Sequence, residues 1–377
     1  MTIDFANLQH QHNLYKDEIE EAILKVARNC NFIMGEEVQE LEENLQNFTK
    51  AKYAISCSSG TDALLLAMMA LDIKPGDEVI TTPFTFIATA ETIAFLGATP
   101  VFIDIDEKTY NINPALIEDK ITPKTKAIIP VSLYGQPADM DQIQTIANKY
   151  NLKVIIDGAQ SFGSTFNGIT DSNLGDISTT SFFPAKPLGC YGDGGACFTN
   201  DENLATKMKS LRLHGQSKRY HHQYIGIGGR LDTLQAAVLN VKLKYYEKDL
   251  TLRQKVARKY TEVLKSKINL VLPIIDKRAT SVWAQYSIRV KNREELRQTF
   301  DKNQKANLMS IQDYLKSKGI PTAVHYPMPL HLQECFSYLG YKKGDLPISE
   351  IISQEIMSLP MNSYLNDEQI EFIVGNL

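Results

Sequence analysis

Long apolar runs are missing from these 377 residues: no stretch of about 18 consecutive apolar positions occurs, so no membrane-spanning helix is expected. Cysteine is sparse. Cys30, Cys57, Cys190, Cys197 and Cys335 form no C-x-x-C pair and leave an odd count, the pattern of reduced thiols in the cytoplasm. An excess of either charge is also lacking. With 40 basic and 44 acidic residues spread along the chain and a net charge of −4, there is no polyanion-binding footprint, which argues against nucleic acid as a partner. The amino terminus has no basic start followed by an apolar core, so no signal peptide is expected. Internal repeats and low-complexity tracts are absent, which excludes a solenoid. Glycine clusters occur at Gly192-Asp-Gly-Gly and Gly226-Ile-Gly-Gly, but neither stands in the strand-GxGxxG-helix order of a dinucleotide site. The first precedes strand-like Ala-Cys-Phe-Thr199 and reads as a hairpin turn.

What is present is an alternation of strand-like and helical segments. Short apolar runs at Tyr53-Ala-Ile-Ser, Glu78-Val-Ile-Thr, Pro100-Val-Phe-Ile-Asp, Lys126 to Ser132 and Lys153-Val-Ile-Ile-Asp are separated by helical stretches. This pattern predicts an α/β fold with a sheet covered by helices. The length exceeds that of one ordinary domain, so two are expected: a large one over 1–245 and a smaller α+β one over 246–377, with a strand at Val282 to Val290. The charge-rich stretch Asn292 to Met309 reads as a solvated insertion.

Two residues point to chemistry. Asp157 closes a run with the composition of a buried parallel strand, which places its carboxylate at the strand's carboxyl edge, where open α/β sheets bind ligands. Lys186 lies in the loop Ser181-Phe-Phe-Pro-Ala-Lys-Pro-Leu-Gly189, and a desolvated lysine there could lose its proton. Together they suit a Schiff-base cofactor. Upstream, Ser58-Ser59-Gly60-Thr61-Asp62 precedes a strongly helical run, which is either a plain helix cap or a cradle of free N–H groups for a phosphate. Phe86, in Thr82-Pro-Phe-Thr-Phe-Ile-Ala-Thr89, is either core or a face on which a planar ring can stack.

Taken in order, Ser-Gly-Thr-Asp-Ala-Leu, Pro-Phe-Thr-Phe-Ile-Ala-Thr, Asp157-Gly-Ala-Gln160, Ser181-Phe-Phe-Pro-Ala-Lys186 and Gly192-Asp-Gly-Gly-Ala196 resemble the nucleotide-sugar aminotransferases of the DegT/DnrJ/EryC1/StrS family, fold type I pyridoxal-phosphate enzymes. The resemblance implies a large domain with a mixed, mostly parallel sheet, and a homodimer with shared active sites. It implies that Lys186 holds the cofactor covalently, Asp157 bonds the pyridine nitrogen, Gln160 bonds the ring's phenolic oxygen and Phe86 stacks on the ring. Gly60, Thr61 and Ser181 would hold the phosphate. One branch of the family carries histidine at the lysine position and dehydrates its substrate; Lys186 sets this chain apart from that branch.

The same resemblance implies L-glutamate as amino donor and a UDP-linked 3-oxo sugar as acceptor. The candidates are the N-acetylated 3-oxo glucuronate of surface polysaccharides and the 3-oxo N-acetylglucosamine of lipid A. A 4-oxo nucleotide sugar is the runner-up, and a non-catalytic cofactor-binding regulatory protein is the alternative of another class. For the sugar nucleotide, His214, Lys218 and Arg219 gather cations and aromatics suited to a diphosphate and a base. Adjacent His221 and His222 have no partner at zinc spacing, so no metal is expected. Arg230 could pair with an acidic group on sugar or glutamate; His325 and Tyr326 resemble the segment that lies over the sugar. One departure stands out. Gly228 occupies the place of an asparagine that in the family reaches the neighbouring subunit's cofactor phosphate.

Overall fold

The computed structural model describes residues 3–300 and 306–377. Its first strands in chain order are β1 (Tyr53–Cys57), β2 (Glu78–Thr81), β3 (Thr99–Phe102), β4 (Thr125–Ile128) and β5 (Lys153–Asp157). A small hairpin, β6 (Thr165–Phe166) and β7 (Ile169–Thr170), precedes β8 (Ile177–Ser181) and β9 (Gly195–Thr199). Seven of these form one sheet in the order β1-β9-β8-β5-β4-β2-β3. Only β9 runs against its neighbours, pairing antiparallel with β1 and β8, so the sheet is mixed and mostly parallel as expected.

Alternation along the strands explains why both faces are covered. Ile55, Val79, Ala127, Ile155, Ile177 and Cys197 share one core with the helix Gly60–Ala70. Their neighbours Ile80, Ile128, Val154 and Ile156 turn to the opposite face, where they meet Ile143 and Ile146 of the helix Met140–Tyr150. A strand apolar at every position needs helices on both sides, which the connecting segments supply.

A separate core gathers Val256, Ala257 and Tyr260 of the helix Tyr246–Leu264 around a second sheet. Beyond β9 come the short hairpin β10 (Gln216–Lys218) and β11 (His221–His222), then β12 (Leu270–Val271) and β13 (Tyr286–Val290). A hairpin follows, β14 (Arg297–Phe300) with β15 (Ala306–Met309), and then β16 (Ile356–Leu359). The second sheet has the order β12-β13-β16. Ile3 is buried in its core and Met361 N donates to Phe5 O at 3.1 Å, so the first residues pack on this unit rather than on the large sheet.

Three local expectations change. The strand expected from Val282 starts only at Tyr286, because Trp283 adopts φ 52° and the N–H groups of Val282 and Ala284 bond Gly135 and Tyr134. The glycines at 192–195 are not a tight hairpin turn: β8 ends at Ser181, and the whole segment Phe182 to Gly194 links it to β9. The stretch expected as a solvated insertion contains the β14–β15 ladder, with residues 301–305 outside the described residues.

Candidate active site

Asp157 ends the central strand β5, and its backbone continues the ladder beyond β4, donating to Pro130 O and accepting from Ser132 N, both at 3.0 Å. Its carboxylate is buried. Thr89 Oγ1 donates to Oδ2 at 2.7 Å and Ala159 N to Oδ1 at 3.2 Å. Burial raises its pKa above the usual carboxylate range, while these two donors and the charge of Lys186 pull it back. Thr89 comes from the helix Ala88–Phe95, so the acid is gripped from two elements.

Lys186 sits in the long loop between β8 and β9, which is closed on itself. Phe182 N donates to Gly194 O at 2.7 Å, Cys190 N to Phe182 O at 2.8 Å and Lys186 N to Phe183 O at 2.8 Å. A Cβ on Gly189 would lie 2.4 Å from Pro184 O, so the loop's return admits no side chain there. Phe182, Leu188 and Cys190 anchor it in the core, and Lys242 Nζ donates to Gly189 O from the helix Thr233–Lys244. Burial lowers the pKa of the Lys186 amine, and the negative charge of Asp157 opposes the shift. Each of the two charges acts on the other's pKa.

His325 and Tyr326 close the site from the second unit. His325 Nδ1 lies 2.9 Å from Ser358 Oγ, and burial together with the positive charge of Lys186 pushes its pKa down to about 4. It is therefore a neutral imidazole at neutral pH. Tyr326 stays a phenol, its pKa raised by burial and by Asp157, and its hydroxyl accepts from Gln160 Nε2 at 3.1 Å. Gln160 Oε1 in turn accepts from Tyr134 N at 2.7 Å, which leaves one amide proton for a ligand. Phe86 lies 6.3 Å from the Tyr326 ring; it is 56% exposed although Thr82, Phe84, Thr85 and Ala88 around it are buried. Core packing does not account for its position.

Gly60 opens the helix Gly60–Ala70, and Ser59 Oγ caps it by accepting from Asp62 N at 3.0 Å. The capping reading of this segment holds for Ser59. Gly60 and Thr61 N–H groups make no hydrogen bond among the described residues. A Cβ on Gly60 would meet Ser181 Cβ at 2.7 Å, so the helix end and the end of β8 touch only because residue 60 is glycine. Two free N–H groups at a positive helix end, flanked by a hydroxyl, make an anion cradle.

The remaining predicted residues form a second group. His214, at φ 60°, donates its N–H to Ile227 O at 2.9 Å, next to the antiparallel bridge that Leu213 makes with Gly228. Arg230 lines a cleft of about 560 Å³ with Ser58, Ser59, Gly192 and Gly228, and its buried Nε has no partner among the described residues. Lys218 and Arg219 stand on the exposed β10–β11 hairpin, Arg219 5.2 Å over the Tyr220 ring. Among the described residues, no hydrogen bond, ion pair or ring contact joins these four to Lys186 or Asp157. No group of three metal-ligating side chains occurs among the described residues.

Sequence reasoning missed Thr89, Tyr134 and the buried Asp171. Thr89 stands in the quoted Phe-Thr-Phe-Ile-Ala-Thr motif, one helical turn beyond Thr85, so its spacing was a usable signal. Tyr134 takes φ 58° in a short turn, where its N–H donates to Gln160 Oε1 and its hydroxyl to His325 O, a pairing that no local pattern announces.

Residues 13–377 match the DegT/DnrJ/EryC1/StrS aminotransferase family. The chain belongs to the DegT/DnrJ/EryC1/StrS aminotransferase family. It is 50% identical to a Pseudomonas aeruginosa protein named UDP-2-acetamido-2-deoxy-3-oxo-D-glucuronate aminotransferase, covering 100% of this chain and 99% of that one. It is 40% identical to an Acidithiobacillus ferrooxidans protein named UDP-N-acetyl-3-dehydro-alpha-D-glucosamine 3-aminotransferase, covering 98% and 95%. A crystal structure of S. venezuelae DesV in complex with a ketimine intermediate superposes with a TM-score of 0.93 at 32% identity, covering 100% of this chain and 97% of that one. Members of the DegT/DnrJ/EryC1/StrS family depend on pyridoxal phosphate, and this chain is a pyridoxal-phosphate-dependent aminotransferase. The residues present fit that cofactor: a partly desolvated amine, a buried carboxylate, an anion cradle and an open aromatic face converge on one edge of the sheet. Among the described residues no helix is long and apolar enough to cross a membrane.

Proposed function

We propose that this chain moves the amino group of L-glutamate to UDP-2-acetamido-2-deoxy-3-oxo-D-glucuronate, acting in the cytoplasm as a homodimer with shared sites. The observation that carries the reading is the Lys186–Asp157 pair, set in a chain half identical over its whole length to a protein named for that reaction. The large unit within 1–245 would hold the cofactor, and the smaller unit within 246–377, on which the first described residues pack, would bring His325 and Tyr326 over it.

Pyridoxal phosphate, when bound, supplies an aldehyde that exchanges between amines and a ring that accepts electrons. Lys186 Nζ would hold that aldehyde, and its amine, when free, would take the donor's α-proton as general base and give it back later in the transfer. The Asp157 carboxylate would keep a proton on the ring nitrogen, because a fixed anion raises that nitrogen's pKa. Gln160 would donate its remaining amide proton to the ring oxygen, Phe86 would offer its face to the ring, and Gly60, Thr61 and Ser181 would hold the phosphate. The donor's keto acid leaves before the keto sugar enters the same site, so the expected kinetics are ping-pong.

On the acceptor side, His214, Lys218 and Arg219 bind the diphosphate and base, and His325 and Tyr326 contact the sugar. His325 is neutral and donates to a hydroxyl without balancing a carboxylate. That leaves Arg230, with its unpartnered buried Nε, as the cation for a uronate. The 3-oxo N-acetylglucosamine acceptor is the second reading, favoured by the 40% identical relative.

The test is spectral cycling with glutamate, followed by mass spectrometry with a panel of 3-oxo and 4-oxo UDP- and dTDP-sugars. Amination at C3 of the uronate is the expected result. Preference for the uncharged 3-oxo sugar would favour the second reading and amination at C4 the 4-oxo runner-up. No spectral change with glutamate would favour a non-catalytic regulatory protein.

The glycine at 228 has its own expected outcome. A Cβ there would lie 3.0 Å from His214 Cε1, and the imidazole is exposed enough to give way. Gly228→Asn is expected to tighten pyridoxal phosphate by about two- to tenfold, the value of one added hydrogen bond to the partner's phosphate. Weaker binding in an absorbance titration would count against this loop reaching the neighbouring site.

A further inference from the structure

Asp171 follows β7, is 1% exposed, and makes no ion pair among the described residues. Its carboxylate instead grips the turn that carries the cofactor-facing residues from two sides. Ser161 Oγ donates to Oδ2, and Ser161 is the residue after Gln160, its own N–H closing the turn onto Gly158 O at 3.1 Å. Ser132 Oγ donates to Oδ1 at 3.1 Å, and Ser132 N is the group that bonds Asp157 O. Between them Gly158 has no room for a side chain, since a Cβ would lie 2.7 Å from Thr179 O and 3.1 Å from Asp171 Oδ2. Asp171 itself is tied down by its N–H to Ser164 O at 2.8 Å and by Ser178 Oγ on its carbonyl at 2.9 Å.

We propose that Asp171 is a positioning residue of the transamination reaction, holding the Asp157-Gly-Ala-Gln160 turn through Ser161 and Ser132 so that Asp157 and Gln160 meet the cofactor ring in register. The proposal rests on the functional reading above. A buried carboxylate is an expensive brace, and the site lessens the expense by keeping it partly protonated: burial, reinforced by the charge of Asp157, raises Asp171 to about 7. A neutral carboxyl group can both accept from and donate to the serine hydroxyls, which a purely apolar filler could not do.

The test uses the full chain as wild type, Asp171→Ala, Asp171→Asn, Ser161→Ala and the Asp171→Ala/Ser161→Ala double variant. It reads the melting temperature without cofactor, the dissociation constant of pyridoxamine phosphate, and kcat and KM for glutamate in the donor half-reaction. Asp171→Ala is expected to weaken pyridoxamine phosphate binding and lower kcat by about tenfold each, while the KM for glutamate stays within about twofold. Asp171→Asn, the isostere of the protonated acid, is expected to recover both to within about threefold of wild type. Ser161→Ala is expected to weaken cofactor binding alone but to add nothing in the Asp171→Ala background.

Wild-type affinity and kcat in Asp171→Ala would overturn the proposal. So would full additivity in the double variant, or losses in every variant that follow the melting temperature without rescue by asparagine. Should Asp171→Ala not fold, Ser161→Ala and Ser132→Ala, each alone and combined with Asp171→Asn, carry the same coupling comparison. Cofactor binding needs no sugar. A wild type that binds pyridoxamine phosphate but aminates no keto sugar would therefore count against the proposed function, while the variants' affinities still decide the role of Asp171.

Discussion

Lys186→Ala is expected to abolish both half-reactions, lowering turnover by about 10⁴-fold or more, and to remove the visible absorption that a covalent lysine linkage gives. The size of the effect follows from two functions lost at once, the covalent tether and the proton carrier. The surroundings are arranged for the second. Burial lowers the amine's pKa, Asp157 supplies the opposing charge, and His325 beside it is neutral, so that ring does not repel the protonated form. Replacement by alanine leaves the loop itself intact, because its closing hydrogen bonds run through backbone groups and its anchors are Phe182, Leu188 and Cys190. The melting temperature should therefore stay within a few degrees of wild type. Unaltered amino transfer from glutamate, followed by stopped-flow absorbance, would overturn the assignment of this residue.

The second large effect is expected at Asp157. Asp157→Asn keeps the volume and removes the fixed negative charge across from the amine, and kcat for the donor half-reaction is expected to fall by about 10²–10³-fold, the scale of a preorganised electrostatic contact. Structure adds a further reason. Both carboxylate oxygens accept hydrogen bonds, from Thr89 Oγ1 and from Ala159 N, so an amide nitrogen in either position faces a donor. If that N–H confronts Ala159 N, whose hydrogen cannot turn away, the side chain must rotate out of its place. Pyridoxal phosphate affinity is expected to drop about tenfold as well, at one lost charge-assisted contact. Wild-type rates in the asparagine variant, measured with glutamate under single-turnover conditions, would show that the ring nitrogen needs no anion here.

Much of this site was legible before any coordinates. The apolar run ending in Asp157, the proline-flanked Lys186 loop and the small-residue helix entry at Gly60 are local patterns, each within a few residues of the group it positions. Sheet class followed equally from alternation, since strands apolar at every position need cover on both faces. The misses share a different character. Trp283 interrupts an excellent strand pattern because two backbone N–H groups are taken by residues 134 and 135, a competition that no local propensity records. Asp171 lies in a polar, surface-like stretch, Thr-Asp-Ser-Asn, yet is almost wholly buried, because the turn after β5 and the segment following β4 fold over it.

What the sequence by itself determined is the set of groups that can do the chemistry, together with the strands and helix ends that present them, because hydrogen-bonding capacity, charge and hydrophobic period belong to short segments. Tertiary structure alone decided which of these groups share a site and in what protonation state. His325 and Tyr326 reach Lys186 and Gln160 across more than a hundred residues of chain, and it is their burial there that leaves one neutral and the other a phenol. Desolvation and the field of a neighbouring charge depend on distance in space and on excluded water, and neither quantity is defined until the chain has packed.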